Sequence, residues 1–404
     1  MSKPSYDLFS TDFKANPFPT FAALRADAPI YAHQSPHGKT IWYVTRYDDV
    51  VAVLKDNEHF CKDVRHAQPD DVPPPRKKMS IHQSINQNML FSDPPDHTRL
   101  RALVNQAFTP RRVEGMKGRV QKIADELLDK VAEQGRMDLI ADFALPLPVI
   151  VICDLLGIPA DDQEMVSEWS QAIISPGSRG LNYKERKRKM RAFVHYLRQL
   201  FVERQQHPQD DLITALVEAE EAGDRLSESE LSSMVALLLV TGHETTVNLI
   251  GNGVLALLLH PEQLDLLKRG EVEWETAVEE LLRYDGPVET STTRWVRKDV
   301  VFRGQNMRQG DIMRVVISSA NRDALQFDKP DELDVANGDK RHLSFGMGIH
   351  YCLGAPLARL EGVIALETLF RRFPTTHLAV SESELKWRSG VLFRGLEQLP
   401  LAWN

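Results

Sequence analysis

Cysteine is scarce in this chain of 404 residues: Cys61, Cys153 and Cys352 are the only three. They are widely spaced and odd in number. They form neither a disulfide framework nor a zinc-type spacing, which fits a reducing compartment. Positive charge is not in excess either. A net charge of −8 gives no basis for general nucleic-acid binding. No run approaches the ~20 apolar residues that span a bilayer. The longest, residues 234–240 and 254–259, are separated by Gly242, His243 and Glu244. The first residues lack an apolar signal core, so a cytoplasmic protein off the membrane is expected. Also lacking are Ser/Gly linkers, low-complexity tracts and internal repeats. A single domain over residues 1–404 is therefore expected, although the length alone would allow two or three.

What is present reads mainly as helix. A short helix is expected after Asn16 and Pro17, and Ile41, Trp42, Tyr43 and Val44 form a strand-like run. Residues 64–92, rich in Pro, Asp, Lys and Gln, read as a long loop, of a length usually reserved for function. From about 97 to 285 the periodicity is helical, punctuated by Pro146, Pro148, Pro159, Pro176 and Pro208. Residues 288–320 shift to short β-branched runs with glycine turns. The fold class is mainly α with a small β portion.

The most informative segment runs Phe345, Gly346, Met347, Gly348, Ile349, His350, Tyr351, Cys352, Leu353, Gly354. Leu357, Leu360, Ile364 and Phe370 then follow at helical spacing. Pro356 falls early in that helix, where its missing N–H costs little. Cys352 thus sits at a helix mouth, where the dipole favours a thiolate, and a thiolate can bind haem iron. The glycines let the backbone pass close under a flat ring. A lone cysteine in a tight turn would read as structural. The six fixed types of this pattern, however, coincide by chance on the order of 10⁻⁸ per window.

A second informative segment runs from Met234 through Val240 to Thr241, Gly242, His243, Glu244, Thr245 and Thr246. It is an apolar helix carrying a polar knot, which is costly to bury without hydrogen-bond partners. Hydroxyls there can bond the backbone and open the helix locally. Other features are weaker. The run Lys184–Lys189 reads as a solvated helix face. Arg111, Arg112 and Lys117 could steer an acidic partner or be ordinary surface charge.

With these motifs in order, the chain resembles the cytochrome P-450 family of haem-thiolate monooxygenases, in its soluble bacterial form. The resemblance covers nearly the whole chain: His97 and Arg101, Glu244 and Thr245, Glu280 and Arg283, Arg294, the turn Ala320, Asn321, Arg322, Asp323, then the cysteine loop. It implies the cytochrome P-450 fold with a long central helix over haem b (iron protoporphyrin IX). It implies Cys352 as iron ligand, with Phe345 and Gly346 in the cofactor loop. His97, Arg101, Arg294 and His350 would bind the propionates, since carboxylates suit charge-assisted donors. Thr245 would hydrogen-bond dioxygen and Glu244 would relay protons, while Thr246, about 100° round the helix, would matter less. Pocket positions by analogy are the loop 64–92, Ala236, Val240, Thr241, Val288, Thr292 and Leu392.

Two departures stand out. Thr241 replaces the family's small residue, and Asn337 replaces an arginine expected beside Glu280 and Arg283, with Lys340 or Arg341 left to compensate. The implied reaction puts one atom of O2 into a small hydrophobic substrate and reduces the other to water. With the chain ending at Asn404, electrons are expected from a separate ferredoxin and an NAD(P)H-dependent ferredoxin reductase, and the enzyme is expected to be a monomer. The alternatives are an H2O2-driven peroxygenase and a non-catalytic haem-binding sensor.

Overall fold

The computed structural model describes residues 6–35, 38–68, 87–174, 182–221 and 223–404. Most of the long loop expected at 64–92, namely 69–86, lies outside the described residues. Its two ends are short 3-10 turns, Val64–Ala67 and Met89–Phe91.

The helical majority is organised around one element, Glu228–Leu259. Its start is fixed by a capping box in which Ser227 and Glu230 satisfy each other's backbone donors. It packs on Pro146–Leu156, Trp274–Asp285 and Ala355–Arg372. Side chains on all sides of it are buried, the pattern of a core helix. By length and composition it could cross a membrane, yet 72% of its most apolar window is buried inside the protein. The helix runs unbroken through the polar knot at Gly242, His243 and Glu244, where two polar side chains bond back to the helix's own carbonyls. Thr241 Oγ1 donates to the Leu237 carbonyl at 2.7 Å, and His243 Nδ1 lies 2.7 Å from the Leu239 carbonyl.

The β portion is a five-stranded sheet in the order Ile30–Gln34, Thr40–Val44, Ile312–Val315, Arg294–Val296, Phe60–Cys61. Two short hairpins and a three-stranded patch, His377–Leu378, Pro400–Ala402 and Arg136–Asp138, complete it. The expected β region ends early, since Ile317–Ala320 is a helical turn. The sheet register matters for the site. Phe60 opposes Val296 and Cys61 opposes Trp295, so the next position brings Lys62 beside Arg294.

Glu280 and Arg283, on Trp274–Asp285, form a fully buried pair at 2.7 Å. Arg283 also reaches the carbonyls of Asn321, Pro330 and Glu332. Asn337 does stand in the vacant arginine position, donating to Glu280 Oε2 at 3.3 Å beside the Asp334 N–H at 3.0 Å. Arg341 does not compensate; it pairs with Asp339 at 2.6 Å.

Candidate functional site

The cysteine loop is held by its own backbone. The Cys352 N–H donates to the Phe345 carbonyl at 2.9 Å, and the Gly346 N–H to Leu343 at 2.8 Å. Gly346 and Gly348 adopt φ of 70° and 75°. A Cβ on Gly348 would stand 2.8 Å from the Leu54 carbonyl oxygen, so the turn requires glycine. The helix Ala355–Arg372 begins three residues after the cysteine, as the sequence pattern predicts. Phe345 is braced by Arg359, whose guanidinium lies 4.4 Å from the ring centroid. Arg359 is anchored to Glu279 at 2.5 Å, and Glu279 to His342 at 3.0 Å. Burial opposes ionisation of Glu279, but these two partners hold its pKa down at about 2.

Of the three cysteines only Cys352 is accessible. Burial pushes Cys61 up to about 11 and Cys153 up to about 12, leaving both as neutral core thiols. Cys352 differs from expectation in one respect: although its surface is accessible, the protein around it desolvates the thiol and raises its pKa, outweighing the opposing effects of the Gly354 N–H, Arg101, the Ala355 N–H and Arg359. The helix mouth alone does not make a thiolate here. A bound metal cation would supply the missing stabilisation.

Above the loop, cationic and hydrogen-bonding groups converge from four elements. His97 and Arg101 lie on Asp96–Ala107, Arg294 on the strand Arg294–Val296, Lys62 directly after the adjoining strand Phe60–Cys61, and His350 in the cysteine loop. The His97 and His350 rings are 4.3 Å apart. Both ring nitrogens of His97 and Nε2 of His350 are buried without a partner. Burial, then Lys62, His97, Arg294 and Arg101 in turn, push His350 down to about 2. Arg294 is 4% exposed and is lowered to about 10 by burial. Lys62, 3% exposed, is lowered by burial and by Arg294. Asp93 is the nearby acid, but its carboxylate is taken up by the N–H groups of Lys62 and Asp63 and by His66. Buried positive groups without a counter-anion are costly. Two carboxylates placed here would satisfy them, so the residues fit the propionates of haem.

Lys62 is the member that sequence reasoning missed. A lysine between a two-residue strand and a polar loop gives no signal. Only the sheet register brings it to Arg294. Its ammonium donates to the Thr292 hydroxyl and, at 2.9 Å, to the Thr292 carbonyl. Thr292, expected to line a substrate pocket, is therefore committed to this cation cluster.

On the central helix, Thr245 Oγ1 donates to the Thr241 carbonyl at 3.2 Å. Glu244, 7% exposed, is ion-paired with Arg388. Among the described residues no hydrogen bond joins Glu244 to Thr245. Thr246 faces the opposite way and donates to Glu361 Oε2 at 3.1 Å. Full burial pushes Glu361 up to about 8, with Thr246 opposing. Arg388 and Glu361 were also absent from the sequence reading, because both act through long-range contacts.

Of the remaining pocket positions, Val240 and Thr241 are half-buried, whereas Ala236 is 1% exposed and packed in the core. Val288 bridges Phe393, and the neighbouring Glu289 N–H donates to the Leu392 carbonyl at 2.9 Å. Val288 and Leu392 thus meet although they lie about a hundred residues apart.

Comparison with known proteins agrees with this geometry. The family model described as "Cytochrome P450" matches residues 28–269 and 274–394. The chain is 43% identical to the "Polyketide biosynthesis cytochrome P450 PksS" of Bacillus subtilis (strain 168), over 100% of this chain and 99% of that one. It is 42% identical to the "Cytochrome P450 monooxygenase PikC" of Streptomyces venezuelae, over 100% and 95%. Superposition on the solved structure of myxobacterial CYP267B1 in complex with myristic acid gives a TM-score of 0.89 at 41% identity, covering 98% of both chains. The accessible cysteine at the helix mouth, the basic cluster above it with its unpartnered histidine nitrogens and these likenesses converge: the chain belongs to the cytochrome P450 family and is a haem b monooxygenase.

Proposed function

We propose that this enzyme inserts one oxygen atom of O2 into a hydrophobic organic substrate, by hydroxylation or epoxidation, with electrons from a separate ferredoxin and an NAD(P)H-dependent ferredoxin reductase. We place it in the cytoplasm as a single-domain monomer. The observation that carries the reading is an accessible Cys352 together with a buried Glu244 and a half-buried Thr245, adjacent on the central helix.

Bound haem supplies the oxygen activation and C–H oxidation. The protein's own residues do the rest. Cys352 would hold the iron as a thiolate, with the Gly354 and Ala355 N–H groups and the charges of Arg101 and Arg359 favouring the anion. Lys62, His97, Arg101, Arg294 and His350 hold the propionates. Thr245, whose hydroxyl donates to the Thr241 carbonyl, would offer that hydroxyl to the haem side of the central helix, and Glu244 would pass protons toward it. Val240, Thr241, Val288 and Leu392 present the largely apolar wall that orients substrate. The myristic acid in the CYP267B1 complex supports an apolar substrate. Arg111 and Lys117, both exposed, suit an acidic electron donor. Arg112 is drawn off by Asp210 at 3.4 Å.

The test is turnover of a panel of apolar compounds with surrogate redox partners. Substrate-dependent NAD(P)H consumption with stoichiometric product supports the reading. Product formed only with added H2O2 would favour a peroxygenase, and spectral binding without product a sensor.

A further inference from the structure

The segments that carry Val288 and Leu392 are tied to a helix near the start of the chain. Residues 287–290 and 391–394 form two arms of one wall. The Glu289 N–H donates to the Leu392 carbonyl at 2.9 Å, and the Arg394 N–H to the Pro287 carbonyl at 3.0 Å. The Thr290 hydroxyl donates to the Val391 carbonyl at 2.7 Å. Both arms reach the helix Thr11–Ala15, five residues long and capped by Ser10. So short a helix has little stability of its own, and its place is set by what it touches. Phe13 meets Phe21 edge to face, with centroids 5.4 Å apart. Lys14 holds both arms at once. Its ammonium lies 2.6 Å from Glu289 Oε1, and the two side chains are 8% and 3% exposed. Its carbonyl accepts from Arg394 Nη1 at 2.7 Å, while Arg394 Nη2 donates to the Ala15 carbonyl at 3.4 Å. Arg394 is itself fixed by Asp285 at 2.6 Å and by the Trp387 ring, 3.6 Å from its guanidinium.

Glu289 is the sensitive point of this arrangement. Its second oxygen, Oε2, is buried without a partner. Burial raises its pKa, and Lys14, then Arg394, oppose that rise. Among the described residues Lys14 is the cation bonded to this carboxylate, from 275 positions away. A buried carboxylate that loses its cation is strongly destabilised, so it moves or takes up a proton. The Glu289 backbone does not move alone. Its N–H is bonded to Leu392, its carbonyl accepts the Ser318 N–H at 3.2 Å, and Val288 is its neighbour.

Resting on the pocket positions proposed above, we infer that Lys14 is a positioning residue for substrate. Through Glu289 and Arg394 it latches the helix Thr11–Ala15 onto the pocket wall and fixes where Val288 and Leu392 stand. The N-terminal helix thereby takes part in substrate selection by setting the shape of the wall.

The experiment uses haem-loaded wild type, Lys14→Met, Glu289→Gln, the Lys14→Met/Glu289→Gln double variant and Val288→Ala. Each is titrated spectroscopically with two azoles that bind haem iron. Imidazole is small and reports the iron, whereas clotrimazole is bulky and reports the walls. Lys14→Met should weaken clotrimazole roughly threefold to tenfold, the scale on which residues away from a ligand modulate its binding, and leave imidazole unchanged. The double variant removes both buried charges and leaves none uncompensated, so it should recover most of the loss. Thermal unfolding of the ferric proteins is a second readout, in which Lys14→Met should be less stable than the double variant. If Lys14→Met does not retain haem, Glu289→Gln carries the same comparison from the other side of the pair. Val288→Ala should change clotrimazole binding on its own. Lower stability with wild-type clotrimazole binding in Lys14→Met, while Val288→Ala shifts it, would overturn the inference and leave the pocket intact. Equal weakening of both azoles would place the effect at the haem and also overturn it. Wild-type clotrimazole binding in Val288→Ala would overturn the pocket reading and the inference with it.

Discussion

The two faces of the haem site are built in opposite ways. On the cysteine side the chain is local: within ten residues, Phe345 to Gly354, it supplies the proposed ligand Cys352, the turn glycines and the N-cap of the following helix. On the opposite side the groups are assembled from afar. Glu244 meets Arg388, 144 positions later, and Thr246 meets Glu361, 115 positions later. The cysteine loop is thus set by backbone geometry and the polar contacts of the central helix by tertiary packing. Substitutions on the first side should remove the cofactor, and those on the second should leave it bound and spoil its use.

The largest effect is expected at Cys352. Cys352→Ser should abolish thiolate ligation, read by X-ray absorption at the iron edge, whereas Cys61→Ser and Cys153→Ser should keep it, since both thiols are buried and neutral. Thiolate ligation surviving in Cys352→Ser would break the comparison at its base.

Next come the propionate cations. Arg294→Met and Lys62→Met should each speed haem transfer to apomyoglobin roughly tenfold, the scale of one charge-assisted hydrogen bond, with substrate preference unchanged. An unchanged transfer rate for Lys62→Met would confine that lysine to its contacts with Thr292.

A smaller effect concerns the seam between the central helix and the helix Ala355–Arg372. Glu361 has a pKa raised from 4.5 to about 8 by burial. Its folded form keeps a proton that the unfolded chain loses. Stability therefore falls as pH rises from about 4.5 toward 8 and levels off above. Glu361→Gln should flatten that part of the profile of unfolding temperature against pH. Thr246→Val, which removes the partner of the acid, should lower stability without touching haem ligation. An unchanged slope in Glu361→Gln would place the titration elsewhere.

The same division explains what was legible in the sequence. The cysteine loop, the basic residues of the His97 helix and the polar knot of the central helix are short patterns whose chemistry depends on neighbours within a turn or two. The helical course from 97 to 285 and the strands after 288 were legible for the same reason. Lys62 was not, because its role arises from a strand register between positions more than two hundred residues apart. Arg388 and Glu361 were not, because one arginine in a C-terminal hairpin and one glutamate on a helix look like surface charge until packing buries their partners. Thr292 and Ala236 were assigned to the pocket by position alone. One is claimed by the Lys62 ammonium and the other is sealed in the core.

The most direct test of the account is the ratio of product formed to NAD(P)H consumed in wild type and in Thr245→Ala. The account predicts that the variant binds haem and substrate and still consumes NAD(P)H. Its electrons should go to peroxide, and product should fall toward the ~10²–10⁴-fold limit of lost proton-transfer groups. Equal ratios in the two proteins would contradict a proton role for this face of the central helix.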